Sequence, residues 1–565
     1  MEKMYLDRYN IWKEKATADT DLVKELVEME QDENKIEDAF YQDLAFGTGG
    51  LRGVLGAGTN RMNVYTVAKA SQGLANYILK KFPKSEKRIA VSYDSRIKSD
   101  LFAQVASSVF AANGIYVYLY NQLMPTPCLS FAVRYLNCVA GIMITASHNP
   151  AKYNGYKVYG PDGGQITSDV AKEILAEMNE IDIFADIKQL HFNVGLEKGD
   201  IQYISEDIYT AFVESVKKES LLADTKVDKN VAIIYSPLNG AGLKPVLRTL
   251  KESGYENITV VEEQKEPDGR FPTCPYPNPE IQEAMSLGIE YAKKYHADLL
   301  LATDPDCDRV GIAVKNKNGE YQLLSGNETG ILLLDYICSR RKILGIMPKN
   351  PVMVKTIVTT DLGKLIATDY GVRTVDVLTG FKFIGEQIGF LEQNGLENSY
   401  IFGFEESYGY LTGSYVRDKD AVNGAFMICE MFAYYATNGI SLMDKLDELY
   451  SRYGYCLNTL HSYEFEGSVG FGKMQRIMKR FRNGVVRIGQ KKVRECLDYA
   501  NGLNGLPKAD VLKFLLEDNC SVVIRPSGTE PKLKVYISVN ADNYENAKVI
   551  EDEMVIYLEK FMDRY

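Results

Sequence analysis

The stretch "CVAGIMITASHNP", residues 138–150, passes from an unbroken apolar run directly into a hydroxyl, an imidazole and an Asn-Pro turn. An apolar run of this length, stopped by turn residues, predicts a buried strand. The same pattern recurs in both directions along the chain. "RIAVSYDSR" (88–96), "GIYVYLY" (114–120), "NVAIIYSPLNGAG" (230–242), "ADLLLATDPDCDR" (297–309), "PVMVKTIVTT" (351–360) and "SYIFGFEES" (399–407) are apolar runs closed by glycine or polar residues and followed by helical stretches. Strands alternating with helices predict α/β domains on largely parallel or mixed sheets. In such sheets ligands sit beyond the carboxyl ends of the strands. The residues just after each run are therefore the places to look for chemistry.

The two ends of the chain read differently. Residues 1–40 predict a helical arm, with Leu22, Val23, Leu26, Val27, Ile36 and Phe40 at near-helical spacing among acids, suited to packing against a neighbouring domain. At the other end, "DNCSVVIRPSGTEPKLKVYISVNA" (518–541) supplies two β-rich runs around a turn, and an amphipathic helix follows. That combination predicts an α+β domain. Helical stretches between strand clusters put boundaries near 210, 325 and 450, giving units 41–210, 211–325, 326–450 and 451–565 after the arm. At 565 residues and 63.5 kDa the chain exceeds what one hydrophobic core serves, so several domains and clefts between them are expected.

Composition excludes some functions. A net charge of −11 leaves no general basic field for nucleic acid or an anionic membrane, so an anionic ligand must be held by local donors. The nine cysteines are scattered without a CxxC pair, which reads as reduced thiols. With no signal-peptide core and no membrane-length apolar run, the expected location is cytoplasmic.

Four loops carry unusual residue types. In the first, Ser147 precedes His148. A Ser-His hydrolase is disfavoured because GxSxG is absent, and sequence neighbours rarely face each other as nucleophile and base. In the second, "TDPDCDRVG", Asp304, Asp306 and Asp308 alternate. In an extended loop they would point the same way, a repulsion that a hard divalent cation offsets. An EF-hand is excluded, since Arg309 stands at the sixth position and Lys315 at the twelfth. Three protein oxygens leave Mg²⁺ room for a phosphate oxygen or water.

In the third loop, "GFEESYG" (403–409), Glu405 and Glu406 are adjacent and point apart. They suit the gripping of sugar hydroxyls better than a glycosidase acid-base pair. The fourth, "RPSGTEPK" (525–532), gathers Arg525, Ser527, Thr529 and Lys532 around Gly528, the composition of a phosphate cradle. Neither GxGxxG nor GxxxxGK[ST] occurs, which argues against P-loop nucleotide chemistry; Arg52 within "FGTGGLRG" (46–53) can still approach an anion.

A serine, a metal loop, a hydroxyl-binding loop and a phosphate cradle together describe phosphoryl transfer between a protein serine and a phosphorylated sugar or polyol. At this point the chain resembles the α-D-phosphohexomutases, the phosphoglucomutase and phosphomannomutase family. "TASHNP", "DPDCDR", "GFEES" and "RPSGTEPK" look like its phosphoserine, metal, sugar and phosphate loops, in family order over residues 145–532.

The resemblance implies three related α/β mixed-sheet domains and a C-terminal α+β domain around a central cleft. It also implies Ser147 as a phosphoserine, one Mg²⁺ held by Ser147, Asp304, Asp306 and Asp308, and Lys157 in "AKYNGYKVYG" as the base, its pKa lowered by neighbouring cations. Arg52 and His148 would flank the transferring phosphate, with Asn149 and Pro150 fixing the loop and Arg309 steadying the phosphate. Glu405 and Ser407 would bind the sugar, with Lys382 either joining them or reaching a phosphate, and Arg525, Ser527, Gly528 and Thr529 would bind the distal phosphate.

The implied reaction interconverts glucose 1-phosphate and glucose 6-phosphate through glucose 1,6-bisphosphate, which also serves as activator. A phosphopentomutase, a phosphomannomutase or an inactive sugar-phosphate-binding protein are the alternatives. The expected partner is a small phosphosugar, with no nucleic acid and no membrane, on a monomer or homodimer.

Overall fold

The apolar runs become the central strands of three sheets. The structure, a computed structural model, describes residues 4–47, 49–465, 467–526 and 532–563. Ala140–Ile144, Leu299–Thr303 and Tyr400–Phe404 are buried along their whole length, as strands covered by helices on both faces must be.

All three repeat one topological device. Each lies parallel to a neighbour on one side: Ala140–Ile144 to Arg88–Tyr93, Leu299–Thr303 to Ile233–Ser236, and Tyr400–Phe404 to Val352–Thr356. On the other side, each pairs antiparallel with the strand that returns directly from its own carboxyl end. Those returns are Tyr153–Tyr159, Val310–Lys315 and Tyr410–Leu411. The connecting loops hold Ser147, the three aspartates and Glu405. A sheet that is parallel up to this point and antiparallel beyond it presents these loops at one edge.

The three sheets have seven, five and four strands. A fourth, six-stranded and antiparallel throughout, spans Tyr455–Glu464 to Lys532–Ala541 and is covered by the helices Gly467–Arg482 and Tyr544–Asp563. Its core is its own, built on residues such as Met474, Phe481, Phe514, Val535 and Met554. By contrast, one continuous core runs from Ala90 through the second and third sheets to Cys456. A small apolar seam, including Ile357, Val358, Tyr499, Val523 and Tyr536, joins the third sheet's domain to the fourth, together with Cys456 at the end of the larger core and the Lys513–Asp361 ion pair.

The N-terminal arm folds as helices Met4–Lys15, Thr20–Glu28 and Glu33–Phe40. Trp12, the chain's single tryptophan, packs edge-on against Phe40, Tyr65 and Phe184, which fixes the arm to the first domain. Leu22, Leu26, Ile36 and Phe40 are buried as expected, whereas Val23 and Val27 face outward. The second helix contacts the protein along a single stripe, and residues one position further round lie off it.

Candidate active site

Loops of the first three domains and strands of the fourth meet at a cleft of about 570 Å³ whose lining includes Arg52, Ser147, Lys157, Arg309, Lys382, Glu405, Ser407 and Arg525. Ser147 is nearly buried and left-handed, with φ of 53°. Its N–H donates to Thr145 Oγ1 at 2.8 Å. Thr145 N–H in turn donates to the carbonyl of Gly155 on the return strand. Gly155 has no room for a side chain, since a Cβ there would lie 2.4 Å from the Thr145 carbonyl oxygen.

This turn aims Ser147 Oγ across the domain boundary to 3.1 Å from Asp304 Oδ2, with His148 Nδ1 at 3.2 Å. Burial, reinforced by Arg309 and Arg52, pushes His148 well below its usual pKa, which favours the neutral imidazole. A non-glycine residue in the left-handed region carries strain of roughly 1 kcal/mol. Ser147→Gly is therefore expected to exceed Ser147→Ala in stability by about that amount. Parallel denaturant titrations of the two variants check this, and equal midpoints would remove the strain from the account.

The aspartates converge, but by a different route from the extended loop expected. Residues 304–309 form a tight turn with Cys307 left-handed at φ 49°, and Asp304 Oδ1 accepts from the N–H groups of Asp308 and Arg309 at 3.0 Å each. A turn, not alternation, brings the carboxylates together, and their ligand atoms all lie within 4.8 Å of one another. All three side chains are fully buried. Thr126, at the start of the first-domain helix Thr126–Tyr135, anchors Asp306 twice. Its N–H donates to the Asp306 carbonyl and its Oγ1 to Oδ2, each at 2.9 Å.

Asp306 Oδ1 and Asp308 Oδ1 are buried without a hydrogen-bond partner among the described residues. Unsatisfied, convergent carboxylate oxygens are the donor set that a hard divalent cation takes, so these residues fit one. The burden of three buried charges shows in their acidities. Burial and the neighbouring carboxylates push Asp304 far up, whereas Asp306 is held low, against its burial, by Lys157 and Lys419.

Lys157 lies deep in the cleft, with Nζ 2.8 Å from Asp306 Oδ2 and 3.4 Å from Asp308 Oδ2. The expected lowering of its pKa is not met. Burial works in that direction, but the two carboxylates outweigh it and hold the ammonium above the ordinary lysine value. Lys419, which the sequence reading missed, sits 2.9 Å from Asp308 Oδ2. Arg309 is in close ion pair with Glu280, another missed residue, and its Nε lies 3.9 Å from Asp308 Oδ1. Arg52 reaches Asn149 Oδ1 at 3.3 Å.

Glu405 and Glu406 diverge as expected. Glu405 accepts from the Gly380 N–H at 3.1 Å, while Glu406 accepts from Thr356 and Thr359 Oγ1 at 3.2 Å each. Lys382, two residues beyond Gly380, has its ammonium 5.2 Å from the Phe383 ring and a pKa lowered by burial. Arg525 stands directly opposite Lys534 in the antiparallel register of the fourth sheet, and both line the cleft. Two cations in cross-strand register repel unless an anion joins them. Ser527, Gly528 and Thr529 lie outside the described residues.

The chain matches the family descriptions "Phosphoglucomutase/phosphomannomutase, alpha/beta/alpha domain I" over residues 43–183, domain II over 210–319 and domain III over 325–453. The family's C-terminal domain matches residues 482–555. It is 36% identical over 537 residues to a phosphoglucomutase of Staphylococcus saprophyticus, covering 93% of this chain and 95% of that one. To a phosphoglucomutase of Staphylococcus aureus it is 35% identical over 549 residues, covering 95% and 96%. Among solved structures, the exocytosis-sensitive phosphoprotein parafusin of Paramecium, a phosphoglucomutase in its open form, shares the fold. There the TM-score is 0.68 at 19% identity, covering 92% of this chain and 96% of that one.

Proposed function

This chain belongs to the phosphoglucomutase/phosphomannomutase family, and on that premise we propose that it interconverts glucose 1-phosphate and glucose 6-phosphate through a phosphoryl group carried on Ser147. The observation that carries this reading is Ser147 Oγ at 3.1 Å from a buried carboxylate of the aspartate cluster, in a cleft also lined by Glu405, Ser407, Arg525 and Lys534.

In the first half-reaction the O6 hydroxyl of glucose 1-phosphate attacks the phosphorus on Ser147. The P–Oγ bond breaks, a P–O6 bond forms, and the hydroxyl proton is in effect returned to Oγ, leaving glucose 1,6-bisphosphate. After the bisphosphate turns over, Ser147 Oγ attacks the phosphorus at C1. The P–O1 bond breaks, the proton passes to O1, and glucose 6-phosphate leaves with Ser147 phosphorylated again. Little covalent work falls to the protein, so positioning and charge compensation dominate.

Lys157, whose ammonium Asp306 and Asp308 hold protonated, is assigned as proton donor to the leaving Oγ and regains a proton from O6, with Arg52, His148 and Arg309 around the transferring group. Asp304, Asp306, Asp308 and an oxygen of phosphorylated Ser147 would hold Mg²⁺, which when bound supplies Lewis-acid stabilisation of charge on that group. Arg525 and Lys534 receive the distal phosphate. The fourth domain's separate core supports closure over the cleft, which would exclude water from the phosphoserine.

Glu405 and Ser407 take the sugar hydroxyls in both orientations. Burial, partly offset by Lys419 and reinforced by Glu406, raises the Glu405 pKa to about 7. Above that pH it is an acceptor; below it the added proton removes acceptor capacity. KM for glucose 1-phosphate is therefore expected to rise as pH falls through about 7. Glu405→Gln should show a KM raised roughly tenfold and flat across that range. The same limb persisting in the glutamine variant would assign it to another group. The activity itself is tested by following glucose 6-phosphate formation from glucose 1-phosphate with Mg²⁺ and trace bisphosphate.

A further inference from the structure

We infer that Arg96, at the end of "RIAVSYDSR", is a positioning residue that clamps the Ser147 loop and ties it to the second domain; this rests on Ser147 being the phosphoryl carrier.

Its side chain is fully buried. Nη1 donates to the carbonyls of Pro150 and Tyr153 at 3.0 Å each, and Nη2 to those of Ser147 and Asn149. One guanidinium thus gathers four carbonyls from seven consecutive residues, Ser147 to Tyr153. A planar fork of five donors can do this where a lysine ammonium cannot. Asp94, itself buried, supplies the counter-charge, with Oδ2 3.3 Å from Nε and Oδ1 accepting from Arg96 N–H and Ser99 Oγ.

The guanidinium also reaches across the domain boundary. It lies over the ring of Phe271, 5.1 Å from the centroid. Gly269, on the same second-domain loop, presses against the backbone beside it. A Cβ at Gly269 would fall 2.4 Å from Ile97 N and 2.7 Å from the Arg96 carbonyl carbon, so no side chain fits.

Burying a guanidinium is costly, and packing alone would be met by an apolar side chain. What this one secures is specific. Ser147 is left-handed, and strain of that kind persists only where surrounding contacts over-determine it. Its hydroxyl must meet Asp304, which belongs to the other domain. A clamp that grips the Ser147 loop and seats on the second domain's aromatic ring fixes both halves of that meeting. Displacement of a reacting group by ~1 Å costs about 100-fold in rate.

The test compares the parent enzyme with Arg96→Lys, which keeps the charge and loses the fork. Phosphoryl uptake on Ser147 from glucose 1,6-bisphosphate is timed by rapid quench and intact mass, alongside KM for glucose 1-phosphate and thermal melting. Uptake and kcat are expected to fall about 100-fold with KM unchanged. Free guanidinium added to Arg96→Ala is expected to restore part of the uptake rate.

Uptake by Arg96→Lys at the parent rate, or a loss no larger than its loss of folded protein, overturns the inference. Should Arg96→Lys not fold, Phe271→Leu carries the same comparison: slowed uptake at unchanged KM supports the clamp, and parent-rate uptake overturns it. A parent enzyme that takes up no phosphoryl group would instead sink the phosphoserine reading, which separates the two failures.

Discussion

Ser147→Ala is expected to lower kcat by roughly 10⁴-fold or more, the scale seen when a nucleophile is removed from an otherwise intact site. The substitution deletes one oxygen and leaves the loop's other contacts in place. The Thr145 bond is made by the backbone N–H of residue 147, and the Arg96 contact by its carbonyl. KM for glucose 1-phosphate should therefore change little. Full turnover by the alanine variant with bisphosphate supplied would exclude the phosphoserine cycle. It would also separate this chain from a protein that merely binds sugar phosphates, because such a protein gives no turnover in either form.

Asp306→Asn is the second large effect. Turnover with Mg²⁺ is expected to fall by about 10²- to 10³-fold, the range for removing one group that stabilises developing charge. The Mg²⁺ concentration giving half-maximal rate should rise with it. Stability should move far less, because two terms oppose. Lys157 loses its nearer counter-charge at 2.8 Å but keeps Asp308 at 3.4 Å, while three mutually repelling buried carboxylates become two. Chelation should abolish activity in the parent and readdition of Mg²⁺ restore it. An unchanged Mg²⁺ dependence in the asparagine variant would count against the metal loop.

Much of this site can be read in the sequence because it lies at strand ends. Unbroken apolar runs such as "AGIMI" and "LLLAT" announce buried strands, and residue types that are costly there, three aspartates or a serine beside a histidine, stand out against them. What connects distant segments is not readable in the same way. Short apolar runs do not carry strand direction, so the thrice-repeated antiparallel return was invisible until the register was known.

Lys419 and Glu280 are ordinary charged residues in sequence. Their meaning comes from partners far along the chain, Asp308 and Arg309. Lys157 resembles any surface lysine until two carboxylates surround it. The aspartate loop shows the opposite case: the residues were legible and their geometry was not, because the left-handed Cys307 is a tertiary outcome that no spacing announces. Arg96 follows the strand Arg88–Tyr93 among the polar residues that close it, yet a fully buried guanidinium is rare enough that pattern alone gives no reason to expect it.

The most direct test of the central claim is kcat/KM measured in parallel on glucose 1-phosphate, mannose 1-phosphate and deoxyribose 1-phosphate, with Mg²⁺ and the matching bisphosphate at trace level. Glucose 1-phosphate is expected to give the highest value, with turnover lost in Ser147→Ala. A preference for the pentose phosphate, or turnover that survives the loss of Ser147, would contradict it.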